Sequence, residues 1–321
     1  MRVRYYILFG LIFVIVLLSG CIQQGKKPEG SVKIHDQNIS GEIKQDQIWS
    51  GEIKVTGDIE VKEGITLTIL PGTIVKVTAF SDDQHSGTDR PHDPPFPKDP
   101  DRIETKSIQI IIRGTLNATG TPDKRIIFTY ERKGTTYDWD GLYISHGKLE
   151  YAIVEYARYN NLQESSDVVI ANNVFRNILE CCLCIGHSKP INPKILNNEI
   201  YNCGHEGIDY AGGSALIKGN HFHRENPGIQ PDPSIGGVGI VVYKNAYPTI
   251  EDNVFERNSQ AIVFISGSLH REERGRKVVV RNNTIKSNDV GINTDPDYPF
   301  DVAIIGGNQL INNKQDEAHT G

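Results

Sequence analysis

"VRNNTIKSN" at 280–288 and "ILNNEIYN" at 195–202 are two versions of one phrase: an Asn pair, a short apolar run, then another Asn. Four further versions follow from a search along the chain: "IANNVFRN" at 170–177, "IKGNHFHREN" at 217–226, "IEDNVFERN" at 250–258 and a degenerate "IIGGNQLINN" at 304–313. Aligned on Asn173, Asn198, Asn220, Asn253, Asn283 and Asn308, they step by about 25, 22, 33, 30 and 25 residues. That range belongs to one supersecondary unit with occasional insertions. The long steps hold extra loops at 223–237 and 266–277.

Each Asn motif leads to a small residue and an alternating run: "CLCI" at 182–185, "GIDY" at 207–210, "GIVVY" at 239–243, "AIVFI" at 261–265 and "GINT" at 291–294. Runs this short, rich in β-branched and aromatic residues and cut by Gly and Asn, are strands. Each copy is therefore a coil of short strands that buries its apolar side by stacking on its neighbours. Asn suits the corners, because it tolerates the left-handed backbone region and its amide can bond its own turn or the next Asn in a stack.

The first residues stand apart. "MRVRYY" is basic, residues 7–18 are continuously apolar, and "LLSGC" closes the run at Cys21. This fits a secretory signal better than a spanning helix. Leu18-Ser19-Gly20-Cys21 resembles the lipobox of prokaryotic lipoproteins, which implies lipidation of Cys21 and a place outside the cytoplasmic membrane. The expected organisation is a signal at 1–21, a polar tether at 22–40 and one solenoid body at 41–321. Hydrophobic content of 38% is low for a globular core of this size but suits a narrow tube. A net charge of −6 without a basic stripe excludes the usual nucleic-acid binders.

The front half continues the strand pattern, in "IWSGEIKVTGDIEVKEGITLTILPGTIVKV" at 48–77, "IIIRGTLNATGTPDKRIIFTY" at 110–130 and "WDGLYIS" at 139–145. With the Asn copies, these segments resemble the right-handed parallel β-helix proteins of the pectate-lyase-like superfamily over about 48–313. The resemblance implies an all-β, single-stranded right-handed parallel β-helix of about nine to ten coils. It leaves the chemistry open, since the superfamily holds lyases, glycoside hydrolases, adhesins and NosD-like copper-maturation proteins.

Polygalacturonase-type members combine an Asn-Thr-Asp motif, an Asp pair and a Gly-His-Gly motif. Here Asn293-Thr294-Asp295 follows both His candidates, Gly186-His187-Ser188 and Gly204-His205-Glu206, and the only Asp pair is Asp82-Asp83. The order is wrong for that site. In register, the small-residue strands place Tyr143, Gln163, Cys184, Asp209, Val241, Val263 and Asn293 in one outward column. One carboxylate in that column is too few oxygens for Ca²⁺. The surface cluster with charge variety lies around Asp209, with His205, Glu206 and the histidines His221 and His223 flanking an inward Phe222. If the protein is an enzyme, Asp209, Glu206 and His205 are the general acid or base. If it binds glycan, Tyr143, Asp209, His221 and His223 are the contacts.

All cysteines after Cys21 fall in "ECCLCIGH" at 180–187 and "NCGH" at 202–205. Three readings stand: packing cysteines, with Cys182 in the small-residue slot; a disulfide involving Cys203, which aligns with Ile178 and not with another Cys; or a Zn²⁺ or copper site of Cys184, Cys203, His187 and His205. The stretch 81–107, rich in Asp and Pro, reads as a loop protruding from a corner. The leading expectation is a lipid-anchored surface protein that binds polysaccharide. The alternatives are a polysaccharide lyase or hydrolase, and a metal-handling accessory protein.

Overall fold

A computed structural model describes residues 30–78, 108–131, 139–162, 167–224, 237–273, 275–298 and 303–319. The signal, Cys21 and the 81–107 loop lie outside these residues. Every strand pairing is parallel, and the chain visits three faces in a fixed order, one circuit per coil. The first face shows the stacking. Its register runs Ile34, Trp49, Ile69, Ala118, Leu149, Ile170, Ile195, Ile217, Ile250, Val280, Ile305, one residue per coil and therefore eleven coils among the described residues. The interior members are buried, whereas Ile305, at the last coil, is 42% exposed. The second face stacks Phe128, Val154, Phe175, Ile200, Phe222, Phe255 and Ile285, with the Phe222 and Phe255 rings 4.8 Å apart.

The helix begins earlier than its sequence suggests. Val32–His35 pairs with Gln47–Ser50 and Asn38–Ile43 pairs with Glu52–Val61, so the stretch read as tether up to residue 40 already forms coil, which raises the count above nine to ten. The alternation in "VKIH" at 32–35 is strand-like but too short to stand out beside Gly and Lys neighbours.

The repeated Asn pair divides its labour. The first member, or its Gly or Asp substitute, takes the left-handed turn: Asn172, Asn197, Gly219, Asp252, Asn282 and Gly307 have φ between 52° and 69°. The second member is buried and forms a ladder. From Asn173 to Asn283, each backbone N–H and side-chain Nδ2 donates to Oδ1 of the next Asn, at 2.8–3.1 Å. Each Nδ2 also donates to a first-face carbonyl, as Asn253 does to Ile217 O at 2.9 Å. A second ladder, Asn258–Asn288–Asn313, stands at the corner between the second and third faces. The buried Asn amides of these corners are thereby bonded within the stack.

The third face carries the small-residue slot. A Cβ on Gly207 would meet Phe222 Cδ1 at 2.8 Å, because the phenyl ring fills the corner it lies beside. Cys182 occupies the equivalent place one coil earlier, and its sulfur bonds Cys203 across the corner, with Cα atoms 5.6 Å apart. Cys181 bonds Cys184, with Cα atoms 5.7 Å apart. Closing a loop of this length at Cys182–Cys203 restricts the unfolded chain by about 3 kcal/mol.

Candidate functional site

Outward positions of the third face run Ile111, Tyr143, Asn161, Cys184, Asp209, Val241, Val263, Asn293. This is the predicted column with one change: the rung between Tyr143 and Cys184 is Asn161, and Gln163 lies outside the described residues. Alternation places these side chains outward, yet much of the strip is closed to water. Tyr143 is 7% exposed, and Val241 and Val263 are each 8%. The Tyr143 hydroxyl donates to Asp140 Oδ2 at 2.8 Å and lies 2.8 Å from the Tyr159 hydroxyl. Tyr143 is therefore a packed residue and not an open glycan contact. His223, only 4% exposed, is closed off from that role as well.

In the middle of the strip, between the Cys181–Cys184 disulfide and the valines, lies an acidic pair. Glu206 and Asp209 come from one strand, Glu206–Tyr210, with Asp209 in the outward column. Desolvation pushes the Glu206 carboxyl up to about 8, helped by the negative charge of Asp209 and then of Glu180. Glu206 thus holds a proton at neutral pH. Asp209 Oδ2 lies 3.1 Å from His187 Nε2, and Asp209 Oδ1 is buried without a hydrogen-bond partner among the described residues. The His187 ring in turn meets Tyr243 edge-on, at 5.8 Å between centroids. Burial, and then the Asp209 and Glu206 charges, push the Tyr243 hydroxyl above its ordinary range.

Asp209 and Glu206 thus share one strand, and a histidine absent from the expected acid–base set joins them. His187, from the coil before, meets Asp209. His205 sits at the preceding corner, where its carbonyl accepts the Gly237 and Val238 N–H groups. Sequence reading missed Tyr243, although it ends the run "GIVVY" in phase with Val241. The proposed ligand set Cys184, Cys203, His187 and His205 loses its thiolates, because both cysteines are in disulfides. Forming a bond across a corner satisfies Cys203 where rung-by-rung alignment offered it only Ile178.

An insertion strap borders the site. Residues 266–273 reach back over earlier coils, where His270 Nε2 meets Gly186 O at 2.6 Å, one residue before His187. Asn245 Nδ2 holds the strap by donating to Ser268 Oγ at 2.8 Å and to His270 O at 3.0 Å.

With this geometry in view, comparison with known proteins is informative for the fold. The family model described as "right handed beta helix region" matches residues 161–319. This chain is a right-handed parallel β-helix protein. No curated protein matches it. Among solved structures it is similar to PfbA, a surface adhesin of Streptococcus pneumoniae, at 16% identity and a TM-score of 0.43, covering 85% of each chain. It is also similar to the A-module of the Azotobacter vinelandii mannuronan C-5 epimerase AlgE4, at 13% identity and a TM-score of 0.28, covering 86% of this chain and 91% of that one.

Proposed function

We propose that this β-helix is a polysaccharide-binding protein outside the cytoplasmic membrane, with its sugar site on the outer third face around Asp209. The observation that carries the reading is the acid pair. Asp209, its side chain 15% exposed, offers a carboxylate and Glu206 offers an acidic proton, while the Tyr243 ring stands beside them. An acceptor, a donor and an aromatic face on a rigid sheet can meet a sugar ring with little ordering cost. The Asp209 carboxylate, with Glu180 behind it, concentrates negative charge here, so a neutral glycan fits better than a polyuronate, whose carboxylates it repels.

Native affinity electrophoresis of the full chain through gels containing neutral and acidic polysaccharides tests this. Retardation by a neutral polymer, lost in Asp209→Asn, is the expected result; uniform migration across the panel would sink the reading. The raised carboxyl of Glu206 favours a second reading, a glycoside hydrolase with Glu206 as proton donor and Asp209 as its partner carboxylate. The retaining polymer then yields new reducing ends with wild type and none with Glu206→Gln. Undiminished product in that variant would leave Glu206 without a catalytic part.

Two disulfides favour an oxidising compartment for the body. The lipobox-like Leu18-Ser19-Gly20-Cys21 supplies an anchor to the membrane's outer side. Cells fed a labelled fatty acid are expected to label the full chain but not Cys21→Ser. Equal labelling of both would assign any lipid to another residue.

A further inference from the structure

A second cluster occupies the outward side of the second face, one corner away from the acid pair. In "HFH" at 221–223, strand alternation turns Phe222 into the core and both histidines outward. One coil earlier, Glu199 lies opposite His221, and Tyr201 lies opposite His223. The buried His223 ring stacks between Tyr201 and His221, at 4.7 and 4.4 Å between centroids, and its Nε2 is 3.1 Å from Glu199 Oε1. One donor atom from each of Glu199, His221 and His223 falls within 4.8 Å of the other two.

We propose that Glu199, His221 and His223 form a binding site for a divalent transition-metal ion of the Zn²⁺ or Cu²⁺ class. Two imidazoles and one carboxylate are the donors that such borderline ions select, whereas Ca²⁺ and Mg²⁺ require oxygen throughout. A tetrahedral ion with ligands at about 2.0–2.2 Å sets its donors roughly 3.3 Å apart. The cluster has to close by about 1.5 Å at most to reach that spacing, a side-chain adjustment. The two members that have to move are the freer ones, since the Glu199 and His221 side chains are 47% and 40% exposed. His223 is already fixed by its stacked neighbours.

The surroundings suit a cation. Glu256 Oε2 stands 3.6 Å from His221 Nε2 and adds negative charge, while the nearby cations Lys286 and Arg257 are engaged on Glu256 at 3.2 and 3.8 Å. Three protein ligands leave the ion a position for water. The site shares no residue with the acid pair, so the two proposals stand or fall separately.

The competing account is a His223–Glu199 ion pair that only packs against Tyr201. Calorimetric titration of the chelator-stripped full chain, made without a polyhistidine tag, with ZnCl₂ and separately with CuCl₂ distinguishes them. The expected result is one ion per chain, with His221→Ala and Glu199→Gln each weakening uptake at least tenfold. Both side chains are partly exposed, so the metal-free variants should melt with wild type. Where His221→Ala melts lower, His221→Gln takes its place. Failure of the wild type to take up one equivalent, or uptake that persists unchanged in the variants, overturns the proposal.

Discussion

Asn253→Leu is expected to lower the thermal midpoint by roughly 10 °C, while Asn308→Leu, one ladder end away, costs about a third of that. Asn253 Oδ1 accepts both the backbone N–H and the Nδ2 of Asn220, at 2.8 and 3.0 Å. Its Nδ2 donates to Ile217 O at 2.9 Å and to Asn283 Oδ1 at 3.0 Å. Leucine at this position takes the acceptor from the buried Asn220 N–H, one of two acceptors from Asn220 Nδ2, which keeps Ile195 O, and a donor from the Ile217 carbonyl, so three buried groups lose a bond. An orphaned buried group costs about 1–3 kcal/mol, and partial water entry brings three of them to roughly 4 kcal/mol in all. At about 2–4 °C per kcal/mol for chains of this size, the midpoint falls by the stated amount. Asn308 is half-buried and accepts from Asn283 alone in the ladder, so less is orphaned there. Scanning calorimetry of both variants checks the ranking. Equal losses at the two positions, or a loss under about 3 °C at Asn253, would mean that the ladder does not carry the corners.

The ladder was legible in the sequence because its cause is local and recurs. An Asn in phase at six corners has to meet its own copy one coil away, and the left-handed turn before it selects Asn, Asp or Gly. What the repeat could not show lies between faces. His187 and His205 are equally good letters beside Asp209; the left-handed turn at Gly186 brings His187, from the coil before, to within 3.1 Å of the carboxylate, a contact that counting along one strand does not show. Cys203 likewise finds Cys182 in a direction that counting along one face never samples. The exposed or buried state of outward residues was equally hidden. Alternation distinguishes the two sides of a strand, but Tyr143 and His223 are outward and still closed off, the first by Tyr159 and Asp140, the second by the stacked rings of Tyr201 and His221. The acid pair was visible as residues, whereas its main property, a carboxyl held neutral, comes from the apolar strip around it.

That property yields the second large effect. Wild-type protein is expected to lose stability between about pH 4.5 and pH 8, and Glu206→Gln is expected to remove most of that loss. The Glu206 carboxyl rises from 4.5 to about 8 on folding, mainly through desolvation and then through Asp209. Between those values the native state keeps a proton that the unfolded chain gives up. The contribution is therefore complete below about pH 4.5 and is lost as pH rises through about 8. A shift of this size corresponds to at most ~5 kcal/mol. Glu206 is only half-buried, and water with side-chain relaxation reduces this to roughly 2 kcal/mol, or about 6 °C in midpoint. Glutamine keeps the shape and carries no charge at any pH, so its melting curve should stay level where the wild type descends. The same titration bears on chemistry: a Glu206 that donates its proton to a glycosidic oxygen has to lose turnover above about pH 8, where the fall in midpoint levels off. A wild-type midpoint that stays flat from about pH 4.5 to pH 8 would show an ordinary ionised carboxylate at Glu206, and the proton-donor role would go with it.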